Sequence, residues 1–211
     1  MAMIHDKPLF TYSVKAFLEA PMISSILLVV PPKSEGAFAK ALDALHLGQA
    51  STMIHIIAGG STRHESVLAG LRLVSPTTEF IAIHDAARPL ITGKQIERVC
   101  KAAYEAGAAA LAHRITDTLH RSDNNEKAAE TVDRTGLWSM ETPQVFRALD
   151  LEHLLNRPCG SQPLPTDEVA ALLCQGIKTR LIEHHEPNIK VTYEHDLKLV
   201  RAYCLLQEDE K

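Results

Sequence analysis

His84-Asp85-Ala86-Ala87-Arg88-Pro89 places a carboxylate and a guanidinium three residues apart. Asp85 is a hard oxygen ligand of the kind Mg²⁺ accepts, because that ion is typically held by one or two carboxylates while substrate phosphates complete its shell. Arg88 offers a bidentate fork for a phosphate. Phosphate chemistry is one reading; a structural Asp85–Arg88 ion pair, with Ala86 and Ala87 packed on a sheet, is the other. A second group, Gly59-Gly60-Ser61-Thr62-Arg63-His64-Glu65-Ser66, sets glycines before hydroxyls and a guanidinium. Between a strand and a helix, such a segment aims backbone N–H groups at an anion or a base edge. Equally, it is a glycine turn in which Ser61 or Thr62 caps the helix. Arg134, in Thr131-Val132-Asp133-Arg134, is a further cation on an exposed segment. Thr142-Pro143-Gln144, Thr166-Asp167-Glu168 and Asn188-Ile189-Lys190-Val191-Thr192 read singly as a turn, a helix N-cap and a strand start.

Other chemistries find less support. Histidines are numerous, but if a strand continues through His184-His185 its adjacent residues point to opposite faces, and the two then cannot chelate one ion. Cys100, Cys159, Cys174 and Cys204 form no Cys-x-x-Cys pair, which speaks against zinc and a disulfide framework and for reduced, mostly buried thiols. No Ser-His-Asp or Cys-His order can be argued from spacing. A net charge of −4 argues against nucleic acid and anionic membrane as partners, yet leaves room for a small anionic ligand. The longest apolar stretch, Ala106 to Ala112, is far short of the roughly 18 residues a spanning helix needs. Met1 to Pro8 lacks a basic region followed by an apolar run, so the expected location is cytoplasmic.

The elements that must position these residues follow from hydrophobic periodicity. Phe10, Val14, Phe17 and Leu18 recur at helical spacing, predicting a helix over about 9–20, and Ile26 to Val30 is an apolar run stopped by Pro31-Pro32, a buried strand. The alternation continues with a helix near 34–46, a strand at Met53 to Ile57, a helix near 64–74, a strand at Phe80 to Ile83, a helix near 92–105 and a strand at Ala108 to Ala112. This βα order predicts an α/β fold with a mostly parallel sheet and helices on both faces. Asp85 then falls at the carboxyl end of a strand, the edge where open α/β sheets bind ligands. From Thr116 to Arg134 the pattern turns polar, and Asn124-Asn125 reads as the turn of a β-hairpin arm leaving the body. An arm that leaves its domain must bury its apolar residues on something, and a second subunit is the economical answer. A helix near 147–155, a loop at 158–165, a helix from Asp167, a strand at Thr179 to Ile182 and a helix from Glu194 to Leu206 complete the order.

Taken together, five blocks in order resemble the 2-C-methyl-D-erythritol 4-phosphate cytidylyltransferase family of non-mevalonate isoprenoid biosynthesis. They are Gly59 to Arg63 with Ser66-Val67-Leu68-Ala69-Gly70-Leu71; His84 to Pro89; Val132-Asp133-Arg134 with Gly136-Leu137-Trp138; Thr142-Pro143-Gln144-Val145-Phe146; and Asn188 to Thr192. Thr166-Asp167-Glu168 fits as well. The resemblance implies a homodimeric, nucleotidyltransferase-like (Rossmann-like) fold that transfers a cytidylyl group from CTP to a polyol phosphate with Mg²⁺, releasing pyrophosphate. It further implies nucleotide contacts from Gly59, Gly60, Ser61, Arg63, Ser66, Asp85 and Ala86, and a metal on Asp85. By the same resemblance, Asp85, Arg88, Thr118, Thr142, Thr166 and Lys190 bind the acceptor, with Arg134 donated by the other subunit through an arm at 115–137. Asp85, Arg88, Arg134 and Lys190 are the groups it makes catalytic.

Family members begin with a strand and a glycine-rich loop, then a Pro-Lys-Gln segment, and Met1 to Ile4 aligns with the residues after it. The expectation is therefore a single domain over 1–211 that is N-terminally incomplete. Two alternatives stay open: a cytidylyltransferase for another polyol phosphate such as ribitol 5-phosphate, disfavoured by Ala87 where those relatives tend to carry valine, and a non-catalytic dimer partner.

Overall fold

The structure, a computed structural model, describes residues 1–45, 53–151 and 166–209. Its central sheet has the order β10-β6-β9-β5, built from Phe80–Ile83 (β5), Ala108–Arg114 (β6), Trp138–Arg147 (β9) and Arg180–Glu183 (β10). β10 is parallel to β6, while β9 is antiparallel to both β6 and β5. Three strands therefore run one way and β9, lodged between two of them, runs against them. The expectation of parallel strands holds for those that alternate with helices; β9 departs from it because Thr142-Pro143-Gln144 reads as a turn in sequence and is strand in space.

Helices cover both faces, and the alternation of β6 decides which. Ala109 and Leu111 point to one face, against α1 (Leu9–Leu18) and α4 (Gly93–Ala106), where Phe17, Ile96, Val99 and Ala103 are buried. Ala108 and Ala110 point to the other, with Phe146, Leu151, and Val169 and Leu172 of α5 (Glu168–Leu173). Every residue from Ala108 to Ala112 is fully buried, and four of the five are alanine where two layers of helix close on the strand, with Leu111 filling one face. α4 starts on a capping box, in which Thr92 accepts from the Gln95 N–H and Gln95 reaches back, and ends on Gly107 at φ 87, a conformation that favours glycine.

A smaller parallel pair, β3 (Ser25–Val30) and β4 (Met53–Ala58), is flanked by α2 (Glu35–Asp43) and α3 (Arg63–Leu71). It joins the rest through α1, whose Phe10 and Val14 pack on Leu28 and Val30. Between β3 and β5 runs a cavity of about 600 Å³, and Val29, Arg63, Ser66, Ile83, Asp85 and Ala86 all border it. An antiparallel pair β1 (Met3–Ile4) and β2 (Lys7–Pro8) precedes α1, and the last helix, α6 (Glu194–Asp209), packs Val200 and Cys204 with Ile4 and Leu9. The segments 119–122 (β7) and 128–132 (β8) pair antiparallel as a hairpin separate from the other sheets.

Cys100 and Cys204 are buried thiols outside any disulfide, and burial, with Glu97 nearby, pushes the Cys100 thiol up to about 11. Cys174 is disulfide-bonded, so the expectation of reduced thiols does not extend to it. The segment 189–192, expected as a strand, lies in no strand; the Val191 N–H instead donates to the Ala87 carbonyl at 2.8 Å. The loop expected at 158–165 falls outside the described residues, as does the end of the helix expected near 147–155. No helix among the described residues is long and apolar enough to cross a membrane.

Candidate active site

A break in one sheet ladder creates the site. β6 and β9 pair at Ala110 with Gln144 and at Ala112 with Met140, so Leu111 alone stands opposite Glu141, Thr142 and Pro143. Extra residues in one strand kink it and re-aim its side chains, and a proline is tolerated there because no ladder hydrogen bond is asked of it. The bulge lies just past Gln144, the partner of Ile83 at the end of β5. Thr142 thereby reaches the turn that starts at His84.

There the Arg88 carbonyl settles the tautomer of His84. The Asp85 N–H donates to Thr142 Oγ1 at 3.1 Å, and Oγ1 lies 3.0 Å from His84 Nδ1, while His84 Nε2 is 3.2 Å from the Arg88 carbonyl. A carbonyl can only accept, so Nε2 carries the proton, and Nδ1 accepts from the threonine hydroxyl. His84 is thus a neutral imidazole. Burial, against weaker opposing contacts with Arg88 and Asp85, brings its pKa down to about 4.

Asp85 stands at the end of β5 with a cation on each oxygen. Arg63 Nε donates to Oδ1 at 3.0 Å and Lys190 Nζ to Oδ2 at 2.8 Å. Burial alone would raise the Asp85 pKa, but Lys190 and Arg63 outweigh it and hold the carboxyl below the usual range. Arg63 is itself a bridge: its two terminal nitrogens grip Glu168 at 2.8 and 3.0 Å, and that pairing, foremost, raises its pKa. Arg88 donates through one terminal nitrogen to the Asn188 carbonyl at 2.7 Å, and its buried Nε has no partner among the described residues. Burial lowers the Arg88 pKa against the opposing pull of Glu141 and Asp85.

The glycine segment is organised by its own helix cap. Thr62 is the N-cap of α3 in a capping box with Glu65, and Glu65 Oε2 also takes the Ser61 N–H at 2.7 Å and hydroxyl at 2.6 Å. Ser66 Oγ accepts the Gly60 N–H at 3.2 Å. The turn is too tight for side chains: a Cβ at Gly60 would lie 2.2 Å from Glu65 Cβ, and one at Gly59 would lie 2.6 Å from Ser66 Oγ. The capping reading of this segment is therefore realised, and Arg63 and Ser66 still border the cavity with Asp85 and Ala86. Ala86 also packs on the Phe10, Val14, Leu28 and Val30 cluster.

Asp85, Arg88, Thr142, Lys190 and Arg63 are thus brought together from four separate stretches of chain. Thr166 is exposed beside Asp167, which caps α5 by accepting from the Ala170 N–H at 2.8 Å. Thr118 and Arg134 are exposed at the base of the β7–β8 hairpin, where Arg134 donates to the Thr116 carbonyl. Glu168, Glu141 and Asn188 are the residues that reading single motifs passes over; each adjoins or lies within a quoted motif, and only the fold shows what it holds.

Cations gathered on one ionised carboxylate at the carboxyl end of a sheet suit the transfer of phosphate-linked groups, and the class that fold and site define is a nucleotidyltransferase. The family model described as 2-C-methyl-D-erythritol 4-phosphate cytidylyltransferase matches residues 1–206. The chain belongs to that family. Among similar proteins, the 2-C-methyl-D-erythritol 4-phosphate cytidylyltransferase of Caldanaerobacter subterraneus is 33% identical over 95% of this chain and 87% of its own length. That of Ralstonia nicotianae is 36% identical over 93% of this chain and 80% of its own. The crystal structure of the enzyme of that name from Thermus thermophilus superposes with a TM-score of 0.76 at 25% identity, covering 95% of this chain and 90% of that one.

Proposed function

We propose that this protein transfers the cytidylyl group of CTP to 2-C-methyl-D-erythritol 4-phosphate, the acceptor named for its relatives. The observation that carries the reading is Asp85, an ionised carboxylate at the end of β5, ringed by Lys190, Arg63 and Arg88 beside the β3–β5 cavity. A phosphate monoester is largely dianionic near neutral pH, so an acceptor oxygen can attack the α-phosphorus of CTP without a general base. The new P–O bond forms as the α–β anhydride bond breaks, and its electron pair leaves with pyrophosphate. What the protein must supply is alignment of two mutually repelling anions and charge opposite the transition state.

The chain's residues divide that work. Arg88 and Lys190 face the acceptor phosphate, and Thr142 keeps Asp85 and Arg88 in register through the turn it holds. Gly59, Gly60, Ser61 and Ser66 form the wall for the cytidine. Asp85 is the carboxylate suited to Mg²⁺: it is an oxygen donor, ionised and 15% exposed, and its present partners are cations whose places a metal ion can take. Asp85 would hold the ion, which would supply positive charge to the phosphate oxygens. The other donor cluster, His113, Glu141 and His184, is rich in nitrogen and already hydrogen-bonded, which suits Mg²⁺ poorly. We further infer a homodimer through the hairpin, which would carry Arg134 and Thr118 toward a neighbouring site, and a cytoplasmic location.

The test is pyrophosphate release with CTP, 2-C-methyl-D-erythritol 4-phosphate and Mg²⁺. Asp85→Ala is expected to lower turnover by about 10³-fold, the scale of losing one transition-state charge contact. A wild-type chain that folds but releases no pyrophosphate above background would overturn the assignment.

A further inference from the structure

Glu141 is 6% exposed, yet its carboxylate is the meeting point of three nitrogen donors from two distant parts of the chain. Oε1 is 2.9 Å from Nδ1 of His113 on β6; Oε2 is 3.0 Å from Nε2 of His184, just beyond β10, and accepts from Asn188 Nδ2 at 2.7 Å. Arg88 approaches the same oxygen at 3.9 Å. His184, 5% exposed, is set in turn by the Glu186 carbonyl, 2.9 Å from its Nδ1. Asn188, 4% exposed, also donates to the Thr142 carbonyl at 3.0 Å, and its own carbonyl receives Arg88. Lys190 follows two residues later, and Val191 is pinned to Ala87.

These contacts form one path. The bulge in β9 turns Glu141 toward Asn188, Asn188 fixes the stretch 188–191, and that stretch delivers a carbonyl to Arg88 and an ammonium to Asp85. We propose that Glu141 is a positioning residue for the acceptor phosphate: it touches no reacting atom, and through Asn188 it sets where Arg88 and Lys190 stand. The role rests on the acceptor-phosphate reading above. It needs the oxygen at the Oε2 position, where a buried histidine and a buried asparagine both converge; the Oε1 position serves only His113, whose side chain is 48% exposed and free to exchange its tautomer.

That asymmetry makes the proposal testable. In Glu141→Gln the amide oxygen can keep Asn188 and His184 while its NH₂ turns to His113, so the acceptor KM should stay within about threefold of wild type. Glu141→Leu removes the oxygen, and the acceptor KM should rise by about 10- to 100-fold, the scale of a hydrogen bond to a charged group, with the KM for CTP unchanged. Asn188→Ala, which cuts the path one step later and leaves the Glu141–histidine contacts, should reproduce that split if Glu141→Leu does not fold. Hydrogen exchange supplies a readout independent of turnover: the Val191 amide should lose protection in Glu141→Leu or Asn188→Ala and retain it in Glu141→Gln, while β6 amides stay protected in all three. Val191 exchange as in wild type in both disrupting variants overturns the positioning role, even if the wild type transfers cytidylyl groups. Loss of Val191 protection in a chain whose wild type has no such activity sinks the assigned reaction and leaves the path from Glu141 to Val191 standing.

Discussion

The two halves of this molecule are built to different standards of burial. Around β6, five successive residues are fully buried and both faces of the sheet carry packed helices. Around β4, no strand residue is fully buried, Met53 is 64% exposed, α2 buries no residue and α3 buries only Gly70. The site straddles them. Asp85, Arg88, Thr142 and Lys190 hang from the dense half, whereas Gly59 to Ser66 belong to the lighter one. Arg63 spans the boundary, joined to Asp85 at the end of β5 and to Glu168 on α5. Charge placement around Asp85 rests on a close-packed core, while the half that carries Gly59 to Ser66 is joined to it by α1, by Ile26 and Leu71 packed on the two faces of the central sheet, and by Arg63.

Removing the tie is the sharpest way to break that comparison. Arg63→Met leaves Glu168 buried without its partner, and we expect a loss of about 3 kcal/mol in denaturant unfolding, the low end for a broken buried pair because Arg63 is itself 35% exposed. Turnover in the same variant should fall by more than tenfold, since Asp85 loses one of its two cations. Inside the dense half, Leu111→Ala should cost about 2–5 kcal/mol, as full burial leaves a cavity that the surrounding helices cannot close.

Acid probes the dense half in a graded way. His84 is held neutral with its pKa near 4, so between its ordinary value of about 6.5 and 4 the unfolded chain binds a proton that the folded chain refuses. Stability should therefore fall as pH drops through that window, by up to about 1.4 kcal/mol per pH unit. His84→Asn should flatten the slope in unfolding curves recorded from pH 7 to pH 4. Asp85 acts in the same direction at lower pH: its depressed pKa adds stability above its unfolded value, lost as pH falls through the lower folded one. The smallest effect belongs to the lighter half. Met53→Ala should change stability by less than about 0.5 kcal/mol, as for an ordinary surface position; a loss near that of Leu111→Ala would erase the distinction between the halves.

Much of this was legible in residue order, because local rules govern local structure. Apolar periodicity places α1, α4 and β5, and the hairpin partners Leu119–Val132 and Arg121–Glu130 pair as alternation around a polar turn suggests. The position of Asp85 at a strand's carboxyl end follows from the same count. β9 resists such reading, since a proline in an apolar run argues against strand, and only pairing with β6 reveals that Pro143 sits in a bulge. Lys190, likewise, was visible as a motif residue but not as the partner of a carboxylate 105 positions earlier.

The sequence by itself thus determined most of the helices and strands, β9 and the stretch 189–192 excepted, since periodicity, caps and side-chain type act within a few residues. Tertiary structure alone decided that Arg63 bridges Asp85 to Glu168, that the Arg88 carbonyl fixes the tautomer of His84, and that Glu141 gathers His113, His184 and Asn188. The reason is physical: a buried charge must be met by whichever donors the folded chain brings within about 3 Å, and that choice depends on packing between elements, on which no local pattern bears.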